Sequence, residues 1–135
     1  MENHNGTAGK HVLVVDDDIE LALTYQGLLQ TYDYQVSTAE NGTQALKFVL
    51  NREVDAILCD LNMPELAGDL FYLEVGRARP HLLKRFIFVT ANADNPLYAG
   101  FLKKVHAPVL SKPVSFDRLL ETLRTVLSLP APSLA

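Results

Sequence analysis

Three consecutive aspartates, Asp16, Asp17 and Asp18, follow a short apolar run in the stretch HVLVVDDDIE. Neighbouring like charges repel, and a buried carboxylate destabilises a fold unless a cation or hydrogen bonds compensate it. Two compensating cations are conceivable, namely the ammonium group of Lys112 and a bound divalent metal ion. The acidic run therefore indicates one half of a cation site.

Other residues suited to such a site also follow short apolar runs. Asp60 follows AILC, Thr90 follows FIFV, and Lys112 comes two residues after PVL. Carboxylate and hydroxyl oxygens without a histidine or a second cysteine favour Mg²⁺ over zinc, because Mg²⁺ prefers hard oxygen ligands. Mg²⁺ commonly keeps several waters and accepts oxygens of a phosphoryl group. These residue types therefore predict a magnesium site of the kind used in phosphoryl transfer.

The apolar runs that precede these residues have the pattern of buried β-strands. Three of the five runs are continuously apolar, which is typical of parallel strands covered on both faces. The predicted strands are His11–Val15, Tyr34–Ser37, Ala56–Cys59, Phe86–Val89 and Pro108–Leu110.

A helical pattern follows each predicted strand, with apolar residues recurring on one face. The predicted faces are Leu21, Tyr25, Leu28 and Tyr32 in the first helix, Ala45, Leu46, Val49 and Leu50 in the second, and Phe116, Leu119, Leu120, Leu123 and Leu127 in the fifth. The third helix is predicted from about Gly68 to Arg79. The fourth is predicted to begin after Asp94 or Asn95, with Pro96 in its first turn.

Strand and helix alternate five times, which predicts a parallel sheet with helices on both faces. Right-handed crossovers narrow this to a doubly wound α/β sandwich of three layers. Ligands of such sheets bind beyond the carboxyl ends of the strands. We therefore expect the aspartates, Thr90 and Lys112 to meet at one edge of the sheet.

Each of these residues also has an ordinary structural explanation. Asp17 with Glu20 resembles a capping box, although Asp18 is the preferred cap of the first helix. Thr90 alone is more often a turn hydroxyl, and Lys112 alone is usually a solvated charge. Their combination at one sheet edge, in this chain order, favours the functional interpretation.

The sequence resembles the receiver domain of two-component response regulators from about His11 to Leu127. The matching pieces are VLVVDDD, ILCDLNMPELAG, FVTAN and VLSKP. The resemblance implies a flavodoxin-like (βα)5 sandwich with strand order 2-1-3-4-5. It also implies a receiver domain at residues 11–128. The composition of the two ends predicts a flexible tail at 1–10 and a tail or linker edge at 129–135.

The resemblance further implies that Asp60 is the phosphoacceptor and that the cofactor is Mg²⁺, for which Mn²⁺ can substitute. The metal would be held by Asp16, Asp17, Asp60 and the backbone carbonyl of Asn62. Thr90 and Lys112 would bind the phosphoryl group, and the bond between Lys112 and Pro113 would be cis.

One position departs from the family pattern. Many receivers carry a tyrosine or phenylalanine three residues before the lysine, where this chain has Val109. A β-branched valine is stiff at χ1 and too short to replace a rotating ring. We therefore expect the switch region of Thr90, Ala91 and Val109 to respond mainly through Thr90 and the loop after it.

The stretch FLKKVHAPVLSKP is closer to receivers of hybrid sensor kinases. In the stretch MPELAG, we expect Gly68 to provide an unusual backbone angle.

Composition limits the remaining functions. A net charge of -4 and a pI near 5.5 argue against direct binding of nucleic acid. No signal peptide and no run long enough for a membrane span is recognisable, which favours a cytoplasmic protein without membrane association. Cys59 is expected in the core. The scattered histidines His4, His11, His81 and His106 are expected at the surface or in tails.

The predicted function is a phosphoacceptor switch that receives its phosphoryl group from a histidine kinase or phosphotransfer domain. Its output domain would lie in the same chain or in a separate protein. Such a receiver catalyses only its own phosphorylation and dephosphorylation and is not otherwise an enzyme. Two alternatives are an aspartyl-phosphate-type phosphohydrolase and a degenerate receiver that acts as an interaction module. Asn62 argues against the hydrolase, which typically has an acid at this position. The intact aspartate, threonine and lysine set argues against the degenerate receiver.

Overall fold

The computed structural model describes residues 9–129. Residues 1–8 and 130–135 lie outside the described residues, so the assignment of the two termini as tails stays a prediction. Gly9 bonds to the loop before the second strand and Lys10 to the first residue of that strand. The Gly9 amide donates to the Asp33 carbonyl at 2.8 Å, and the Lys10 carbonyl accepts from the Gln35 amide at 2.9 Å.

Five parallel strands form one sheet in the order β2-β1-β3-β4-β5, which confirms the predicted topology. The strands are β1 His11–Val15, β2 Gln35–Ala39, β3 Ala56–Cys59, β4 Phe86–Thr90 and β5 Val109–Ser111. The helices are α1 Ile19–Gln30, α2 Gly42–Asn51, α3 Gly68–Ala78, α4 Pro96–Lys104 and α5 Phe116–Leu127, with a 3₁₀ helix at Pro80–Arg85. Within residues 9–129, none of these helices has the length and apolar character needed to cross a membrane.

The central strands are apolar on both faces because the sheet divides the core into two clusters. In β1, Leu13 and Val15 face one cluster while Val12 and Val14 face the other. The first cluster contains buried residues of α2, α3 and α4, and the second contains those of α1 and α5. Side chains of successive strand residues point to opposite faces of the sheet. A strand that helices cover on both faces therefore needs a continuously apolar run.

Short polar side chains begin four of the helices. Asp18, Asn41, Asn95 and Ser115 each accept a hydrogen bond from a backbone amide in the first turn that follows. Such caps satisfy amides that lack a partner within the helix, and each contributes about 1 kcal/mol. Asp18 is thus the cap of α1, as preferred from the sequence.

The predicted buried face of α1 was partly wrong. Tyr25 is buried as expected, but Ala22 and Leu29 complete the buried face. Leu28 is 38% exposed, and Tyr32 lies beyond the helix end at 39% exposure. The prediction selected the face that carries large apolar side chains. It therefore missed Ala22, whose small side chain packs against the sheet. Leu50 of α2 was also misassigned, since it is 46% exposed.

Arg85 fastens the end of α5 to the residue before β4. Its guanidinium donates to the carbonyl of Val126 at 3.0 Å and to that of Leu129 at 3.2 Å. Carbonyls at the end of a helix have no partner within it, and a cation there also interacts favourably with the helix dipole. The last turn of α5 is therefore tied to the start of β4.

The prediction that all four histidines lie in surface or tail positions was wrong for His11. His81 and His106 are exposed, while His4 falls outside the described residues. His11 opens β1 and is half-buried. Its Nε2 lies 2.8 Å from Ser37 Oγ, and its ring meets the edge of Phe48 at a centroid distance of 5.7 Å. Burial lowers the pKa of His11, the positive charge of Arg52 lowers it further, and Asp55 opposes the change.

Acidification is expected to destabilise the fold partly through His11. Because the pKa of His11 is lower in the folded state, the unfolded chain takes up its proton first as the pH falls through 6.5. The stability that depends on the neutral ring is present above that pH, and it is lost as the pH falls towards the lower pKa that His11 has in the folded state. Between about pH 7.5 and about pH 5, the free energy of unfolding in urea should fall less in His11→Gln than in the wild type.

His106→Gln, at an exposed histidine, is the matched control and should follow the wild type. Equal losses of stability in the wild type and His11→Gln would contradict the assignment.

Candidate functional site

Two aspartates extend the hydrogen-bond ladder at the carboxyl ends of neighbouring strands. The Asp16 amide donates to the carbonyl of Ala39, the last residue of β2, at 3.0 Å. The Asp60 amide donates to the carbonyl of Val15, the last residue of β1, also at 3.0 Å. The sheet itself therefore fixes the backbones of both residues. Both are buried, with 3% of Asp16 and 6% of Asp60 exposed.

Lys112 joins these two carboxylates. It follows β5 at the far edge of the sheet, and its amide donates to the Thr90 carbonyl at 2.9 Å. Its Nζ lies 2.7 Å from Asp16 Oδ2 and 3.2 Å from Asp60 Oδ2. The bond between Lys112 and Pro113 is cis. One ammonium group thus compensates two buried carboxylates contributed by different strands.

The remaining carboxylate oxygens accept backbone amides. Asp16 Oδ1 accepts from the Asp18 amide at 2.9 Å, and Asp60 Oδ1 accepts from the Leu61 amide at 2.7 Å. Burial raises the pKa of the Asp16 carboxyl despite the opposing effect of Lys112. Burial would lower the pKa of Lys112, but its hydrogen bond to Asp16 and the charges of both carboxylates together raise it. Lys112 is therefore firmly cationic in this site.

Asp17 adds a third carboxylate from the solvent side. Its side chain is exposed, and oxygens of Asp16, Asp17 and Asp60 all lie within 4.8 Å of one another. Asp18, the next residue, turns away to cap α1 through its Oδ1, at 3.1 Å from the Leu21 amide. The run of three aspartates therefore divides between the carboxylate cluster and a helix cap.

The predicted switch residues lie on β4, β5 and the loop after β4. Thr90 ends β4 and is fully buried, and its Oγ1 accepts from the Asn92 amide at 3.0 Å. This bond uses an oxygen lone pair and leaves the hydroxyl proton available for another acceptor. Ala91 is exposed. Val109 is half-buried at the start of β5 and packs against the cluster that contains Tyr98.

Known proteins resemble this chain in sequence and in fold. Residues 12–124 match the family model of the response regulator receiver domain. The chain belongs to this family. It is 35% identical over 117 residues to the transcriptional regulatory protein ZraR of Klebsiella oxytoca, an alignment that covers 87% of this chain but 26% of ZraR.

Solved structures agree with this assignment. A CheY-like receiver domain protein from Methanospirillum hungatei superposes with a TM-score of 0.81 at 26% identity, covering 89% of this chain and 94% of the other. The response regulator TrrA of Thermotoga maritima, solved in complex with Mg²⁺ and BeF, gives 0.75 at 29% identity, covering 87% and 98%. The chain is thus a receiver domain of a two-component system.

In this receiver domain, the residue after Asp60 is held from both sides. The Leu61 amide donates to Asp60 Oδ1, while its carbonyl accepts from the Gly68 amide at 2.8 Å and from the Tyr98 hydroxyl at 3.5 Å. Sequence reasoning gave Tyr98 no role, because an aromatic residue in a helix reads as an ordinary core position. Asn62 follows as an exposed residue of the β3–α3 loop.

The β3–α3 loop does not use Gly68 as the sequence predicted. Gly68 begins α3, and the left-handed angles belong to Glu65 and Leu66, at φ 58° and 137°. Gly68 is instead required by a close approach, because a Cβ there would overlap the Asp60 carbonyl oxygen and stand 2.9 Å from Leu61 Cα. The hydroxyl of Thr43 in α2 supports the loop by donating to the Glu65 carbonyl at 2.5 Å.

Gly68→Ala should destabilise the receiver domain by about 1–3 kcal/mol, because the new methyl group meets backbone atoms that have little freedom to move. The measurement is the free energy of unfolding in urea. Gly27→Ala is the matched control, since nothing lies within 4 Å of a Cβ at this exposed position of α1. It should stabilise the protein by about 1 kcal/mol through helix propensity. A Gly68→Ala variant as stable as the wild type would refute the close approach.

Proposed function

We propose that Asp60 of this receiver domain accepts a phosphoryl group from a phosphohistidine, in a reaction that requires Mg²⁺. The supporting observation is the shared environment of the carboxylates. Asp60 is buried, shares the Lys112 ammonium with Asp16, and lies within reach of the exposed Asp17 carboxylate. Such an arrangement concentrates negative charge where a cation and a phosphoryl group can meet.

The donor set fits Mg²⁺. Three carboxylates and one ammonium group leave two negative charges, which one divalent ion neutralises. Asp16, Asp17 and Asp60 would hold the metal with the Asn62 carbonyl, all as hard oxygen ligands. When bound, the metal withdraws charge from the phosphoryl oxygens. Mn²⁺ has similar ligand preferences and is proposed as a substitute.

Transfer would proceed by in-line displacement at phosphorus. A carboxylate oxygen of Asp60 forms the new O–P bond while the P–N bond of the phosphohistidine breaks. The phosphohistidine ring, protonated on its other nitrogen, leaves as neutral imidazole with the electron pair of that bond, and an acyl phosphate remains on Asp60. Lys112, already 3.2 Å from Asp60 Oδ2, would exchange this carboxylate for a phosphoryl oxygen. The Thr90 hydroxyl would donate a hydrogen bond, through its available proton, to another phosphoryl oxygen.

The Thr90 hydroxyl is also proposed to begin the conformational response. A move of Thr90 towards a phosphoryl group would change its bond to the Asn92 amide and so displace the loop at Ala91. Val109 is expected to contribute little, because its side chain is short and stiff.

The hydrolase alternative is not favoured. The family model of the receiver domain matches most of the chain. In addition, Asn62 occupies the place where such hydrolases typically have an acid. A degenerate receiver is also a poor account of a site that keeps Asp16, Asp17, Asp60, Thr90 and Lys112 together. Response regulators act generally as signalling switches. We propose that this one catalyses only its own phosphorylation and dephosphorylation.

Receiver domains interact with histidine kinases and output domains. We propose that this one receives its phosphoryl group from a histidine kinase or phosphotransfer domain in the cytoplasm. It would control an output domain in the same chain or a separate protein, without itself binding nucleic acid or membrane. The acidic composition supports this last point.

Asp60 should be the acceptor in vitro. Incubation with acetyl phosphate and Mg²⁺ should add one phosphoryl group to the wild type and none to Asp60→Asn, as measured by intact mass. Asp117→Asn, at an exposed aspartate of α5, is the matched control and should behave as the wild type. An equal mass gain in Asp60→Asn would assign the acceptor elsewhere.

Asp17 should matter more than Asp18 for Mg²⁺ affinity, because Asp17 joins the carboxylate cluster while Asp18 caps α1. Asp17→Asn should weaken Mg²⁺ binding by at least about tenfold, since even residues that only orient metal ligands act on this scale. Asp18→Asn keeps a capping side chain and should have a smaller effect. The measurement is a titration followed by amide chemical shifts, repeated with Mn²⁺ by calorimetry. A larger loss in Asp18→Asn would reverse the two roles.

A further inference from the structure

Among the helices α1 to α5, α4 is attached to the sheet by the fewest buried side chains. Tyr98 is its single buried residue, whereas α5 buries four. Phe101, Leu102 and Val105 pack against the core only partly, and Leu97 is 76% exposed. The attachment of α4 therefore combines one fully buried ring, Tyr98, with the partly buried Phe101, whose ring contacts Phe88 at 5.4 Å.

Tyr98 also makes the polar contact of α4 with the phosphoacceptor segment. Its hydroxyl lies 3.5 Å from the carbonyl oxygen of Leu61, and the amide of the same Leu61 donates to Asp60 Oδ1 at 2.7 Å. One residue of backbone thus separates the Asp60 carboxylate from the Tyr98 hydroxyl. The amide and the carbonyl of Leu61 belong to two successive peptide planes that meet at its Cα, so a change at one end reaches the other through one pair of backbone dihedrals.

The length of the Tyr98 contact makes it sensitive to small movements. Hydroxyl hydrogen bonds are usually 2.7–2.8 Å long, so a contact of 3.5 Å is weak. Tyr98 is only 3% exposed, and water is a poor substitute partner at such a position. A shift of Leu61 by a fraction of an ångström would therefore strengthen this bond or abolish it.

Phosphorylation of Asp60 would cause such a shift. Lys112 contacts Asp60 Oδ2 while the Leu61 amide donates to Oδ1. Phosphorylation of Oδ2 turns Oδ1 from a carboxylate oxygen into a carbonyl oxygen, so the hydrogen bond from the Leu61 amide would lose its charge assistance and lengthen. Val109, which packs against the cluster that contains Tyr98, offers no large ring to fill space on this side.

We propose that Tyr98 is a positioning residue that couples the state of Asp60 to the position of α4 through the Leu61 carbonyl. This proposal rests on the proposed function of Asp60 and adds a second route to the one through Thr90. The Thr90 route enters the loop before α4, whereas the Tyr98 route acts inside the helix.

The test compares the wild type with Tyr98→Phe, which keeps the ring and removes the hydroxyl. Beryllofluoride with Mg²⁺ serves as the probe, and amide chemical shifts report binding at the site and the response of residues 97–104. In Tyr98→Phe, the shifts at Asp17 and Lys112 should persist, while those of residues 97–104 should fall at least about twofold. Tyr72→Phe is the matched control, because the Tyr72 ring contacts Phe101 of α4 at 5.5 Å. It should keep the wild-type response.

Hydrogen exchange distinguishes coupling from simple support of the helix. A merely structural role would lower protection of α4 equally with and without beryllofluoride. Coupling requires that the probe change α4 protection in the wild type and change it much less in Tyr98→Phe. An unreduced α4 response in Tyr98→Phe would overturn the proposal.

A second measurement needs no variant. The ¹³Cζ resonance of Tyr98 in the wild type reports the hydrogen bond of its hydroxyl and should move when beryllofluoride binds. A stationary resonance, with shifts present at Lys112, would overturn the coupling while leaving the function of Asp60 intact. Absence of any beryllofluoride response at Lys112 would instead refute the proposed function and this coupling with it.

Discussion

The ammonium group of Lys112 lies between two carboxylates that the sheet forces together. Asp16 and Asp60 extend adjacent strands, so backbone hydrogen bonds fix their separation whatever their charges. Removing one partner from a buried ion pair typically costs on the order of 3–5 kcal/mol, because a charge is left uncompensated. β5 and the hydrogen bond from the Lys112 amide to the Thr90 carbonyl hold the backbone that carries this one cation. The same arrangement keeps the site short of positive charge, which is what a divalent ion would supply.

Much of this architecture could be predicted from the sequence, because its signals are local. Continuous apolar runs identify strands covered on both sides, and Asp18 and Asn95 mark helix starts because their side chains can accept a hydrogen bond from the first turn. The edge at which Asp16, Asp60 and Lys112 meet follows from strand alternation alone. The identity of each strand's neighbours required the resemblance to a family.

The errors all concern contacts between distant segments. The buried face of α1 includes Ala22 because this small side chain packs in the cluster with residues of the sheet, a contact that residue size does not predict. Gly68 is needed because another backbone passes close to it, although its sequence context suggested a turn. His11 is half-buried because Phe48 of α2 packs on it. The contact of Tyr98 with Leu61 spans 37 positions, and no pattern along the chain encodes it.

The attachment of Arg85 to the end of α5 has a mechanical consequence. Two carbonyls, of Val126 and Leu129, are anchored to a guanidinium whose own residue immediately precedes β4. Five residues further along that strand stands Thr90. A displacement of the last turn of α5 would therefore reach the start of the strand that ends at Thr90, so the end of α5 and the phosphoacceptor edge of the sheet act on opposite ends of one short strand.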